Sequence, residues 1–182
     1  MVKVTVIDKT TNAPIENAHV FLISETSSGF LGPTYSNIME EKQTDKIGQC
    51  TFDFTAYSHY SYYCVSSAEH YYKQEEERGS VVKGCMNYVA LAMQPEAYLK
   101  VYVKNTQPYN IYDEILVGSF GTPSGGGGYY QGVNVDTFSI ARLWGGITRE
   151  LFYQVTKNNI TNNYNIPVYC TTFDTTVYTI NY

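Results

Sequence analysis

The sequence predicts an all-β chain of two small antiparallel β-sandwiches, and three observations carry that expectation. Apolar residues alternate with polar ones in short runs, as in Val2, Val4, Val6 and in Leu99, Val101, Val103. The runs are separated by Asn, Gly and Pro clusters with the chemistry of turns. No sustained apolar stripe of helical period competes with them. The alternation restarts after Pro95, which divides the chain into residues 1–95 and residues 96–182, the second expected as an Ig-like sandwich.

The elements of the first half follow in order. Val2–Asp8 is a strand, with Asn12, Pro14 and Asn17 turning it into the strand Ala18–Ser24. Glu25–Gln43 lacks period-two order and reads as a long loop with a short helical turn near Ile38–Lys42. Asp45–Gly48 turns into Gln49–Phe54. Tyr60–Ser67 is the next strand, Lys73–Gly79 a charged connection, Val81–Val82 the start of an edge strand, and Asn87–Met93 the closing strand.

The second half reads as six short strands. They are Ala97–Lys104, Asp113–Phe120, Val133–Ile140, Thr148–Lys157, Pro167–Thr171 and Thr175–Asn181. The connections are Asn105–Asn110, the glycine loop Thr122–Gly128, an interruption at Ala141–Gly146, and an Asn-rich turn at Asn158–Asn165. The two halves are not obvious sequence repeats of one another.

Two stretches, VKVTVIDKTTNAPIENAHVFL (Val2–Leu22) and TDKIGQCTFDF (Thr44–Phe54), together with the aromatic strand and turn at Tyr62–Tyr72, carry a resemblance. Residues 1–95 resemble the carboxypeptidase-regulatory-like, or transthyretin-like (prealbumin-like), β-sandwich. Where such domains carry an Ala–Gly–Tyr turn, this chain has Ala68–Glu69–His70–Tyr71. YLKVYVKNTQPYNIYDEI (Tyr98–Ile115) is similar to sandwich segments that follow such domains in Bacteroides-type surface lipoproteins. The resemblance implies a passive module that displays, spaces or binds. It also implies an extracytoplasmic location, in the periplasm or at the cell surface, with a lipid anchor conceivable on the precursor.

Composition narrows the functions. A net charge of −5, with 12 Lys and Arg scattered along the chain, offers no basic stripe for nucleic acid. No apolar run is long enough to span a membrane as a helix. His19, His59 and His70 form no zinc-peptidase spacing, and there is no G-x-S-x-G elbow. Asp45, Asp53, Asp113, Asp136 and Asp174 are too dispersed for a calcium loop. The expectation is a non-enzymatic chain without a cofactor or metal, a monomer or homodimer, meeting a protein or glycan partner at the cell surface.

Nineteen tyrosines are the compositional anomaly. They suit half-buried strands, and exposed ones make rigid contact surfaces. Tyr129 and Tyr130 beside the glycine loop, with the single tryptophan Trp144, are the candidate ligand-binding residues of an alternative reading, a carbohydrate-binding module. Cys50, Cys64, Cys85 and Cys170 allow three sets of two disulfides. Four buried free thiols is the favoured reading, and Cys64–Cys85 is the pair to consider if a bridge forms.

Overall fold

A computed structural model describes residues 1–27, 33–72, 78–118 and 127–182. Among them there are fourteen strands and no helix. The chain divides into two compact units, Met1–Gln94 and Pro95–Tyr182.

The first unit holds β1 (Val2–Asp8), β2 (His19–Ser27), β3 (Thr34–Gln43), β4 (Gln49–Phe52), β5 (Ser61–Ser67), β6 (Gly79–Val81) and β7 (Asn87–Met93). They form one sheet in the order β4-β1-β7 and another in the order β3-β2-β5-β6. The alternation seen in the sequence is the burial pattern. Val2, Val4 and Val6 are fully buried and meet Val20, Leu22, Phe52 and Cys64 from the other strands in one core. Gly48, at φ +70°, makes the turn before β4, and a Cβ there would lie 2.6 Å from the Val6 carbonyl oxygen. Only a residue without a side chain fits that approach.

The second unit holds β8 (Glu96–Lys104), β9 (Glu114–Val117), β10 (Gly128–Gln131), β11 (Asp136–Trp144), β12 (Ile147–Lys157), β13 (Ile160–Cys170) and β14 (Thr175–Asn181). Its sheets run β11-β8-β14 and β10-β9-β12-β13. Leu99, Val101 and Val103 bury against Ile115, Leu143, Leu151 and Val168.

Numbered within its own unit, each set of seven strands has the same plan: fourth-first-seventh in one sheet, third-second-fifth-sixth in the other. Among the described residues each unit has one exception to antiparallel pairing. β1 runs parallel to β7 over seven residue pairs, from Val2↔Asn87 to Asp8↔Met93. β8 runs parallel to β14 over seven, from Thr175↔Tyr98 to Asn181↔Lys104. One architecture therefore occurs twice without a visible sequence repeat.

Four expectations are corrected. Glu25–Gln43 is not a loop with a helical turn: β2 runs to Ser27, and Thr34–Gln43 is a ten-residue edge strand. It is exposed on nearly every residue, so burial imposes no alternation on it. The second unit has seven strands rather than six, because Tyr129–Gln131 joins a strand of its own. Ala141–Gly146 is no interruption, since β11 continues to Trp144. The Asn-rich turn is confined to Asn158 and Asn159, both at positive φ, and β13 starts at Ile160. Two consecutive left-handed residues make the tight hairpin turn whose twist matches the flanking strands. Most of the Thr122–Gly128 glycine loop, the end of the strand drawn to Phe120, and most of Lys73–Gly79 lie outside the described residues.

Candidate functional site

The three aromatic candidates are not brought together. Tyr129 and Tyr130 are consecutive on β10, so they face opposite sides of their sheet. Tyr129 is 57% exposed and its hydroxyl donates to the Glu114 carboxylate at 2.5 Å. Tyr130 packs against the core. Trp144 ends β11 in the other sheet of the unit, 38% exposed, with the Arg149 guanidinium 4.9 Å from its ring. One exposed ring on each of two sheets does not make a shared stacking platform.

The cysteines divide differently from expectation. Cys50, Cys64 and Cys170 are buried and free, but Cys85 is exposed in the turn before β7. The Cys64–Cys85 bridge is not formed: one sulfur lies in the core, the other faces solvent. Burial pushes the Cys50 thiol up to about 11 and the Cys64 thiol up to about 12, so both stay protonated and unreactive at neutral pH.

Among the described residues no three His, Cys, Asp or Glu side chains group as metal ligands. The densest polar chemistry is a cluster at one end of the second unit, built from Asn105, Asp113 and Lys157. Asn105 follows the last residue of β8, Asp113 precedes β9, and Lys157 closes β12 against the Asn158–Asn159 turn. The cluster thus joins the two sheets. Asp113 is fully buried, Asn105 is 8% exposed, and the Lys157 side chain is 22% exposed.

The geometry of the cluster is specific. Lys157 Nζ donates to Asn105 Oδ1 at 2.8 Å and to the Gln107 carbonyl at 2.6 Å. Asn105 Nδ2 donates to Asp113 Oδ2 at 3.0 Å and to the Gly132 carbonyl at 3.1 Å. Both amide hydrogens are therefore placed, which turns Oδ1 towards the lysine. Asp113 also accepts from the backbone N–H groups of Tyr109 (2.7 Å) and Asn110 (3.2 Å), and its Oδ2 lies 3.9 Å from Lys157 Nζ. Burial alone raises a carboxyl; here the hydrogen bonds from Asn105, Tyr109 and Asn110, with the lysine charge, outweigh it and hold Asp113 below the ordinary value.

Tyr182 covers the lysine, its ring 4.9 Å from Nζ, and its carbonyl accepts from Thr106 N–H at 2.7 Å. A shallow depression of about 280 Å³, flanked by Tyr153 and Tyr164, opens over Lys157. These two rings stack with centroids 4.7 Å apart.

Sequence reasoning missed this cluster. In the sequence Asp113 reads as one of several dispersed acids or as the neighbour of Glu114, Asn105 as a turn residue, and Lys157 as a strand end. Their separation along the chain, 52 residues between Asn105 and Lys157, hides the meeting.

The first unit has a counterpart at the end of its own first strand. Asp8 is 4% exposed and accepts from Thr10 N–H, Thr10 Oγ1, Thr11 N–H and Tyr71 Oη. There the carboxylate caps the loop that follows β1.

No family model matches the chain, and no curated protein matches it. Solved structures do. The minor pilin GBS52 of Streptococcus agalactiae shares 9% identity at a TM-score of 0.41, covering 99% of this chain and 94% of that one. The shaft pilin SpaA of Lactobacillus rhamnosus GG shares 7% at 0.32, covering 99% and 96%. The Bacillus anthracis TIE protein shares 13% at 0.37; 99% of this chain is covered, but it spans only 33% of that protein's chain. None of these likenesses bears on the role of the site.

Proposed function

We propose that the chain is a non-enzymatic, extracytoplasmic structural module that carries tension within a bacterial surface or periplasmic protein. The observation that supports this is the parallel pairing of the first and last strands in each unit. Parallel neighbours send the chain in at one end of a unit and out at the other. A pull on the two ends then runs along the strands. The ladder bonds between the paired strands are loaded together in shear, instead of opening one at a time. The transthyretin-like resemblance of residues 1–95, a passive spacing fold, and the lysine-poor composition agree with that role and location. The partner in this reading is protein at the cell surface.

Single-molecule pulling tests it. With handles at the two ends of either unit, unfolding is expected at forces several-fold above those for handles placed at Gly146 and Thr171, the open ends of β12 and β13, which peel that hairpin apart. Equal forces in the two geometries would end the proposal.

The exposure of Tyr129 and Trp144 favours a second reading, glycan binding. Under it, Trp144→Ala or Tyr129→Ala abolishes binding on a glycan array; an array blank for the unmutated chain removes it.

A further inference from the structure

We propose that β13 pairs with β13 of a second copy of this chain, edge to edge and antiparallel, about a two-fold axis at Asn163. β13 ends its sheet: β12 takes one side of it, and among the described residues no strand takes the other. Every residue from Ile160 to Asn165 is exposed. The stretch 158–173 carries no charged residue, although the chain as a whole carries a net −5. Charge is what usually keeps such an edge from its like, and here it is missing. β3 shows the contrast, with Glu40, Glu41 and Lys42 and a register shift opposite Leu22 and Ile23.

The turn fixes which backbone groups point outward. A two-residue loop makes Lys157 and Ile160 the first hydrogen-bonded pair of the hairpin, and bonded and non-bonded pairs alternate from there. Ile160, Asn162, Tyr164 and Ile166 therefore spend their backbone groups on β12. Thr161, Asn163 and Asn165 turn N–H and C=O away from it. Pro167 falls in the same outward set, where its missing N–H costs no bond to β12.

The same facts choose the register. Outward residues must face outward residues, so a second strand shifts in steps of two residues. With Asn163 of one copy opposite Asn163 of the other, Thr161 faces Asn165 and Asn165 faces Thr161. Each of these pairs can exchange two backbone hydrogen bonds. One step in one direction sets Pro167 against Thr161 and loses a donor. One step in the other sets Asn165 against Asn159, which is held in the turn at φ +60°.

The side chains agree with the chosen register. On one face amides and hydroxyls meet, at Thr161–Asn165 and Asn163–Asn163, and Gln154 Nε2 already orients the Asn163 carboxamide at 2.8 Å. On the other face Ile160, 62% exposed, meets Ile166, and Asn162 meets Tyr164. The pairing would join two β10-β9-β12-β13 sheets into one continuous sheet across two copies. It ties chains side by side, so it is independent of the tension-bearing reading, and its test involves no force.

Sedimentation equilibrium of the full chain is expected to show a monomer–dimer equilibrium. Asn163→Lys sets two ammonium groups opposite one another and is expected to raise the dissociation constant about tenfold or more, with the Trp144 melt left in place. Cysteine substitutions read the register. In a Cys85→Ser background, Asn163→Cys is expected to form a disulfide with its own copy under mild oxidation, because the Cα atoms of a hydrogen-bonded pair stand about 5.5 Å apart. Thr161→Cys alone should not cross-link, but mixed with Asn165→Cys it should give the mixed disulfide. A chain that stays monomeric at millimolar concentration overturns the proposal and leaves the edge to a foreign strand or to solvent. So does a dimer indifferent to Asn163→Lys, or cross-linking no faster at Asn163→Cys than at Ile47→Cys, an exposed site in the first unit.

Discussion

Two buried aspartates show how one residue type is stabilised by local backbone. Asp8 and Asp113 each stand at a strand end, accept several N–H or O–H donors, and are held below the ordinary carboxylate value against the opposing pull of burial. The sign of the resulting pH dependence follows directly. A carboxyl whose folded value is depressed favours the folded state at all pH above its unfolded value, about 3.9, and that contribution disappears as pH falls through the folded value. Thermal melts are therefore expected to be flat in this respect from pH 7 to about pH 4 and to drop steeply below it. Asp113→Asn should flatten the acid drop in the transition of the second unit, which the single tryptophan, Trp144, reports by fluorescence. Asp113→Ala leaves one Asn105 amide hydrogen and two backbone N–H groups without their acceptor and Lys157 without its nearby counter-charge, and a loss of about 3 kcal/mol is expected in urea titrations followed the same way. The thiols give a further check. Native protein at neutral pH should accept one equivalent of a maleimide, at Cys85, and all four sites should label only in denaturant.

At the level of strands, what the sequence disclosed depended on burial. β1, β7, β8 and β12 each press one face on a core, so Val2–Val6 and Leu99–Val103 alternate visibly. β3 does not, because an edge strand paired on one side and exposed on both faces can carry any polar residue; Glu40, Glu41 and Lys42 there guard an open edge. The Asn158–Asn165 stretch misled for a related reason. Asparagine favours turns, yet only the first two residues turn, and Asn162, Asn163 and Asn165 sit exposed in β13. The polar cluster is illegible in the sequence because Asn105 and Asp113 lie on the β8–β9 connection while Lys157 closes β12, and their meeting is set by sheet packing rather than by spacing. The Asn158–Asn159 turn is itself testable. Asn159→Ala forces a side chain that prefers negative φ into the left-handed region, at a cost of about 1 kcal/mol. Gly48→Ala should do more harm, since it adds a 2.6 Å clash with the Val6 carbonyl to the strain, and it should destabilise the first unit without moving the Trp144 transition.

At the level of the whole chain, one seven-strand plan is used twice with different residues at every functional-looking position. The first unit buries two thiols and a loop-capping carboxylate; the second buries one thiol, with an amide and a carboxylate bonded to each other beside a half-buried lysine. Equal topology with unequal chemistry explains why comparing the halves as text shows no kinship, since only the alternation of apolar positions is held in common. The parallel first and last strands have one more outcome. In each unit the points of entry and exit are separated by the length of a seven-residue strand, roughly 23 Å. A unit of this kind resists circular permutation through a short linker and cannot be spliced into a host's surface loop without prising that loop apart. Concatenation, bead after bead on one string, is the natural way for it to multiply.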